Sequence, residues 1–343
     1  MMTGLHIKTF FSIKEIDALA WDQLSGGKPF QSYNWYVFGE RVLFDCLPIY
    51  LLVYEEDNLV SRASMWLIRN EPLPKMPRPV KWMIAAMLRR WPLLICRSPL
   101  ANTSGIIVEN NVQREAILAA LTRAAIAEAR QRKASIVLFD FLTESEMKEW
   151  QSDFVTLKMP SAGTILRNQW QSLEEFLADG NKKDRQHYKR TLREADKLGI
   201  HLTKHRAVPD IDAALALIRK VEERYSSSPN PWMRAMLENI EMINGTWLEA
   251  HIDDSLVGCG LILEDQHVQL TTGLGLADNI PYVYFLLIYA SLEAAFTSKV
   301  ELLRWGTGAY EVKQRLGFEL EQNNNSVLLG TNQLTRLLTK MAA

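Results

Sequence analysis

The chain has 343 residues, of which 48% are hydrophobic and 23% charged, and its formal net charge is -1. Such a length exceeds one ordinary core and predicts two domains of roughly 150 residues each, while the composition excludes a largely disordered chain. Because the charges balance, no global field draws the protein to nucleic acid; DNA is not expected as a partner, and electrostatic recognition has to come from local patches.

Met1 to Phe11 carries no apolar core behind a basic start, so no signal peptide is expected. Ile16, Leu19, Ala20 and Leu24 are spaced for a short helix ending at Gly26-Gly27, and an aromatic helix follows from Asn34 to Phe44. Ile49 to Tyr54 and Leu59 to Ile68 read as strands around the turn Glu56-Asp57-Asn58, together a hairpin. Trp247 to Ile252 and Leu256 to Leu263 repeat that pattern around Asp253-Asp254-Ser255, with Tyr50 falling on Trp247 and Asp57 on Asp254. Each hairpin leads to a long helix and a short strand: Val112 to Arg130 with Ile136 to Phe139, then Tyr282 to Phe296 with Val300 to Leu303. A duplicated α/β unit explains the recurrence, with domains at 1-160 and 161-343.

Two basic stretches interrupt the repeat. From Pro72 to Val108 there is no acidic residue, and Lys75, Arg78, Lys81, Arg89, Arg90 and Arg97 stand among prolines and large apolar groups. Lys81 to Trp91 is predicted helical with Trp82, Ala85, Ala86 and Leu88 near its apolar side; it is either a core helix whose arginines reach solvent or a segment that lies on an anionic membrane through Lys81, Arg89 and Arg90. Nowhere is an apolar run of about 20 residues present, so no spanning helix is expected, and the chain is placed on the cytoplasmic side, with peripheral attachment to the inner membrane left open. Asn181 to Leu198 is the second stretch: Tyr188, Leu192 and Ala195 are predicted inward, with Arg185, Lys189 and Arg193 in a row beside them and Gly199 as the stop. That row either tracks a phosphate chain or is a solvated face.

Asp210 is predicted to cap a helix bearing Ile211, Leu215, Ile218, Val221 and Tyr225; Ser226 to Pro231 then forms either a substrate-facing lid or an ordinary loop before Trp232 to Ile243 resumes as helix. Cys46, Cys96 and Cys259 are far apart and form no C-x-x-C pair, which argues against a disulfide framework and fits a reducing compartment. His201 and His205 would share a strand face without a third ligand, so no metal site is expected. The stretch from Asn279 to Phe318 reads as buried helix, strand, Gly306-Thr307-Gly308 turn, and helix from Ala309 to a stop at Gly317. Those glycines either only make a tight turn or leave backbone N–H groups free for a phosphate or a developing oxyanion.

Leu256-Val257-Gly258-Cys259-Gly260, the helix from Tyr282, and Trp305 to Lys313 before Leu316-Gly317-Phe318 resemble the GNAT-type domain of the Fem-like and BioF2-like acyltransferases. Lys182 to Arg193 followed by Leu198-Gly199-Ile200 is similar to the stretch that precedes that domain, and Trp21, Pro29-Phe30 and Ser32 fit the group too. The resemblance implies an α/β fold of two tandem GNAT-like domains, the second catalytic, and transfer of an acyl group from acyl-CoA or an acyl carrier protein to an amine. The amine is expected on a small molecule or on a lipid at the inner membrane surface. A Fem-type reading, with charged tRNA as donor and a cell-wall precursor as acceptor, and a non-catalytic lipid-binding or scaffold protein are the alternatives. Asp278, His251 and Glu264 are the candidate proton acceptors, and Lys313 is either the charge clamp or a surface cation paired with Glu311 or another neighbour. Arg185, Lys189, Arg193, Tyr282, Gly306, Gly308 and Tyr310 are the candidate donor-binding residues. The chain departs from the acetyl-CoA enzymes of this fold where their Arg/Gln-x-x-Gly-x-Gly/Ala loop would stand, since Asp278-Asn279-Ile280-Pro281-Tyr282-Val283 is found there.

Overall fold

The computed structural model describes residues 4–72, 77–109, 113–150, 154–159, 161–225 and 228–342; Lys75, Val112, Ser226 and Ser227 lie outside them. In chain order the strands are β1 (Leu5–Phe10), β2 (Leu47–Glu55), β3 (Asn58–Ile68), β4 (Leu93–Cys96), β5 (Ile106–Val108), β6 (Ile136–Leu142), β7 (Val155–Lys158), β8 (Thr164–Arg167), β9 (Ile200–His205), β10 (Thr246–Ile252), β11 (Ser255–Asp265), β12 (Val268–Leu276), β13 (Leu302–Trp305), β14 (Glu319–Leu320) and β15 (Asn325–Gly330). The helices are α1 (Ala18–Ser25), α2 (Tyr33–Val42), α3 (Arg78–Arg90), α4 (Arg114–Gln131), α5 (Glu144–Met147), α6 (Leu173–Asp179), α7 (Lys182–Lys197), α8 (Ile211–Arg224), α9 (Met233–Glu238), α10 (Val283–Thr297), α11 (Tyr310–Arg315) and α12 (Gln333–Ala342). They form two units, one of Met1–Glu71, Met76–Ala162 and Gln322–Ala343, the other of Pro72–Lys75 and Gly163–Glu321.

In the first unit the strands run β1-β2-β3-β4-β6-β15-β7, and β5 pairs β3. Ile117, Leu121, Ala125 and Ala129 recur along α4 at helical spacing and pack on Ile49, Leu51, Ala63 and Met65. On β3 the alternate residues Arg62, Ser64 and Trp66 point the other way, toward Trp21, Tyr36 and Tyr50. Arg62 is fully buried there; its guanidinium sits 3.5 Å over the Trp21 ring and donates to Ser25 Oγ and Gln31 O, and burial pulls its pKa down to about 10.

The second unit's sheet, read from its opposite edge, is β9-β10-β11-β12-β13-β8-β14. Position by position its strand directions match the first: antiparallel up to the fourth strand, parallel between fourth and fifth, antiparallel beyond. The two hairpins also carry the same irregularity, a register shift between Val53 and Tyr54 and between Ala250 and His251, positions that coincide when Tyr50 is laid on Trp247. Helices clamp this sheet closely on both faces. A Cβ on Gly258 would lie 2.2 Å from Val283 Cγ1 of α10, and one on Gly275 would lie 2.8 Å from Leu217 Cβ of α8, so neither position has room for a side chain.

The division at 160/161 drawn from the sequence falls between β7 and β8, but the chain later returns, since Gln322–Ala343 belongs to the first unit. Each unit takes the strand after its fifth from the segment that follows the other unit's last strand: β8 comes after β7 and joins the second sheet, while β15 comes after β14 and inserts between β6 and β7. All of β15 is buried, including Val327, Leu328 and Leu329, apolar side chains that each contribute about 1.5–3 kcal/mol when fully covered. A chain ending at residue 321 should therefore lose the cooperative unfolding and protease resistance of the first unit although 1–162 is intact in sequence. Limited proteolysis and thermal unfolding check this; an unchanged melting transition would contradict the exchange.

Candidate functional site

β12 and β13 pair in parallel from Val268↔Leu302 to Thr271↔Trp305, and there the pairing stops. β12 runs on to Leu276 against β11, so its edge over residues 272–276 faces no strand on the β13 side. A parallel pair that parts in this way leaves main-chain N–H and C=O groups of alternate residues unclaimed by the sheet. On the other arm of the fork the chain turns through Gly306, Thr307 and Gly308. Gly308 and Ala309 take left-handed φ values of 87° and 47°, and α11 then starts without a side-chain cap. Trp305, the last paired residue, is buried and stacks on Phe318 at 4.1 Å, and its Nε1 has no acceptor.

α10 starts just beyond the long arm. Its N-cap Tyr282 has φ 71° and its first-turn amides receive no side-chain cap. α7 lies across α10: His187 Nδ1 is 3.0 Å from Tyr289 Oη, and Arg190 Nη2 donates to Tyr282 Oη at 3.3 Å. Burial, with Arg315 and Arg190 nearby, holds the His187 imidazole below its ordinary pKa, which favours a neutral ring.

The inward stripe of α7 differs from the expected one. Asp184, Thr191 and Ala195 are buried and His187 and Tyr188 half-buried, whereas Leu192 is exposed. The stripe is polar because its neighbours are: Tyr289 faces His187, and Arg315 Nε lies 3.2 Å from Asp184. The row Arg185, Lys189, Arg193 is consequently not one phosphate track. Arg185 donates to the carbonyls of Leu177, Ala178 and Gly180 at the end of α6, Arg193 pairs Glu194, and Lys189 is exposed. Arg190, which no row in the sequence singled out, is the α7 cation that reaches the α10 N-terminus.

The three candidate proton acceptors are not brought together. Asp278 lies before α10 and is held by Arg224 at 2.6 Å and Lys220 at 3.8 Å. Glu264 sits toward the other end of α10, hydrogen-bonded to Ser298, with its pKa raised by burial. His251 is on β10, two strands from β12; its Nε2 is 2.9 Å from Glu249, and its ring stacks on His201. Gly306 and Gly308 lie in the turn at the fork, and Tyr310 and Lys313 follow on α11, with Lys313 reaching back to Gly306 O.

The first unit has the same fork, but it is spanned. Cys96↔Phe139 is the last parallel pair of β4 and β6, and the residues that follow are Arg97 and Asp140. Arg97 binds Glu71 through both terminal nitrogens at 2.8 and 2.6 Å and stands 3.9 Å from Asp140, whose Oδ1 also accepts from Ser326. The Arg97 N–H donates to Ser64 O, and Arg97 O accepts from Trp66 Nε1, so the backbone at this fork is used internally.

Lys313 is only 6% exposed and donates from Nζ to Gly306 O; it is not a surface cation paired with Glu311. With no carboxylate beside it, burial lowers its pKa to about 8. An unfolded lysine titrates near about 10.4, so between the two values the unfolded chain holds the extra proton and stability rises with pH, by up to about 1.4 kcal/mol per unit. Below the folded value the full penalty of the buried charge applies. Lys313→Met should thus stabilise the fold at neutral pH and abolish that rise; urea unfolding at several pH values tests it, and a variant that tracks the wild type across the window contradicts the buried charge.

A family model described as FemAB-like, peptidoglycan biosynthesis/recognition, matches residues 12–341. Among solved structures the chain is similar to FemX, with a TM-score of 0.61 at 10% identity over 97% of this chain and 100% of that one. It is also similar to a tandem GNAT protein from the clavulanic acid biosynthesis pathway, with a TM-score of 0.57 at 13% identity over 96% of this chain and 99% of that one. No curated protein matches the chain in sequence. At these identities the likeness is one of fold, and that fold is the tandem GNAT-like α/β architecture that the resemblance implies. With nearly its whole length matched by the family model, the chain belongs to the FemAB-like family.

Proposed function

We propose that the second unit is an N-acyltransferase, moving an acyl group from a thioester carrier, acyl-CoA or an acyl carrier protein, to an amine. The observation that carries this reading is the open fork of β12 and β13, set against the spanned fork of β4 and β6. Catalysis of acyl transfer needs donors aimed at the oxygen that gains charge when the amine adds to the carbonyl. Main-chain N–H groups on the free edge of β12 are of that kind. Lys313, cationic below about 8, supplies a positive charge beside Gly306 in a place sheltered from water. In the step itself the N–C bond forms, the C–S bond breaks, and one proton passes from the amine nitrogen to the departing thiolate. Asp278 is the only one of the three acceptor candidates next to the α10 N-terminus, and two cations already engage it. The acceptor we favour is an amine carried by a lipid at the inner membrane surface, consistent with the acid-free stretch from Pro72 to Val108.

A second reading, transfer of an aminoacyl group from charged tRNA to a cell-wall precursor, is favoured by the description of the matching family and by the loop before α10. That loop has no glycine, and it places the Asp278 carboxylate where a pyrophosphate-binding turn would want bare N–H groups. Both readings use the same fork. The test is turnover of the purified chain with acyl-CoA, with acyl carrier protein and with charged tRNA, each offered a panel of amines. Release of free thiol with one of the first two supports the leading reading, and release of uncharged tRNA supports the second. Lys313→Met should lower kcat by about 10²–10³-fold with KM nearly unchanged, as for loss of one oxyanion donor. No product from any donor would overturn catalysis and leave a lipid-binding or scaffold protein.

A further inference from the structure

A helix on the surface of a folded protein ordinarily turns its apolar stripe to the core. α3 does the reverse. Of its residues only Leu88 is buried, with Lys81, Ile84 and Ala85 half-buried beside it on the packed side. Val80, Met83 and Met87, three and four residues apart, form a strip that points outward, and Trp91 continues it past the helix end. Trp82 is 76% exposed. The residues expected on one apolar side are divided: Leu88 and Ala85 lie on the packed side, whereas Trp82 and Ala86 face solvent.

The charge on this exposed arc has one sign. Arg78, Arg89 and Arg90 are exposed, Arg69 Nη1 donates to Arg89 O at the C-terminal end, and the chain has no Asp or Glu from 72 to 108. Lys81, one of the three cations first assigned to this role, is on the half-buried side and is replaced in it by Arg78.

We propose that α3 docks the protein on an anionic lipid bilayer, lying in the headgroup plane with Val80, Met83, Met87 and Trp91 inserted and the arginines on the lipid phosphates. The helix is 13 residues long, about 20 Å, and among the described residues no helix is long and apolar enough to cross a membrane, so it lies on the bilayer and does not span it. Tryptophan at the interface and arginine at the phosphates are the side chains that partition there most readily. A soluble acidic protein would satisfy the arginines but gives no reason for an outward strip of valine, methionine and tryptophan. A second copy of the chain would cover the strip but would set arginine against arginine. The proposal does not depend on which donor the second unit uses, nor on whether it is catalytic.

The test is flotation of the full chain with vesicles of phosphatidylcholine containing phosphatidylglycerol, and with phosphatidylcholine alone. Binding is expected only to the anionic vesicles and should weaken in high salt. Replacing Arg78, Arg89 and Arg90 by Gln should reduce the partition about fivefold per residue, on the order of a hundredfold together. Met83→Ser and Met87→Ser with Trp91→Ala should abolish it. These positions are exposed, so the melting temperature serves as the control for folding, and slowed hydrogen exchange confined to 78–91 on vesicles locates the contact independently. Failure of the wild type to float, equal binding to neutral vesicles, or flotation indifferent to both variant sets overturns the proposal. So does sedimentation showing a dimer that the apolar variant splits, which would make a second copy the occupant.

Discussion

β13 is only Leu302–Trp305, and its parallel pairing with β12 ends at Thr271↔Trp305 while β12 continues to Leu276. The geometry of the second unit's candidate site follows from that difference in length. Two parallel strands normally satisfy each other's backbone, and when one stops early the other must find partners in side chains, water or a ligand. Gly306 contributes no side chain at the split, and Lys313 binds its carbonyl from below, so the turn is held and the opening is left. Close packing keeps it so. Gly258 and Gly275 let α10 and α8 press on the sheet from both faces, which fixes where α10 begins relative to the free edge of β12.

The first unit shows the alternative use of the same geometry. Its fork carries Arg97 and Asp140 where the second has Thr272 and Gly306, and these with Glu71 form an ionic cluster in which Asp140 is buried and Arg97 and Glu71 are half-buried. Burial raises the pKa of Asp140, and the guanidinium and the Ser326 hydroxyl oppose that rise, so the cluster holds only while all its members are in place. Ser326 belongs to β15, the strand that arrives after the whole second unit has been traversed. One copy of the duplicated unit thus spans its fork with the Arg97–Asp140–Glu71 ion pairs, backed by the Ser326 hydroxyl, and the other has no such pair across Thr272 and Gly306.

Much of this was legible in the sequence because it is local. Asp210 caps α8 by accepting from Ala213 N, Gly199 and Gly317 end their helices with φ 67° and 86°, and the two hairpins overlay down to the register shift. The exchange of β8 and β15 was not legible, since short strands joined across such separations leave no periodic signal, and the boundary at 160 consequently misses the return of residues 322–343. At the candidate site, cation spacing on α7 suggested Arg185, Lys189 and Arg193, but helical spacing says only that residues share a face, not what the face meets. Arg185 is spent on the end of α6, and Arg190 reaches Tyr282. A lone histidine among charges gave no hint of His187, whose environment is made by Tyr289, Phe285 and Arg315 from distant parts of the chain. On α3 the sequence leaves a core helix and a membrane-surface helix both open, and only the three-dimensional packing separates Leu88 from Met83 and Met87.

A crystal structure of the chain with an unreactive thioether analogue of the acyl donor tests most directly whether the fork of β12 and β13 holds the reacting carbonyl. Density is expected in the fork of β12 and β13, with the acyl oxygen within about 3 Å of a main-chain N–H of 272–276. Analogue bound elsewhere, with that fork filled by the protein's own side chains, would contradict it.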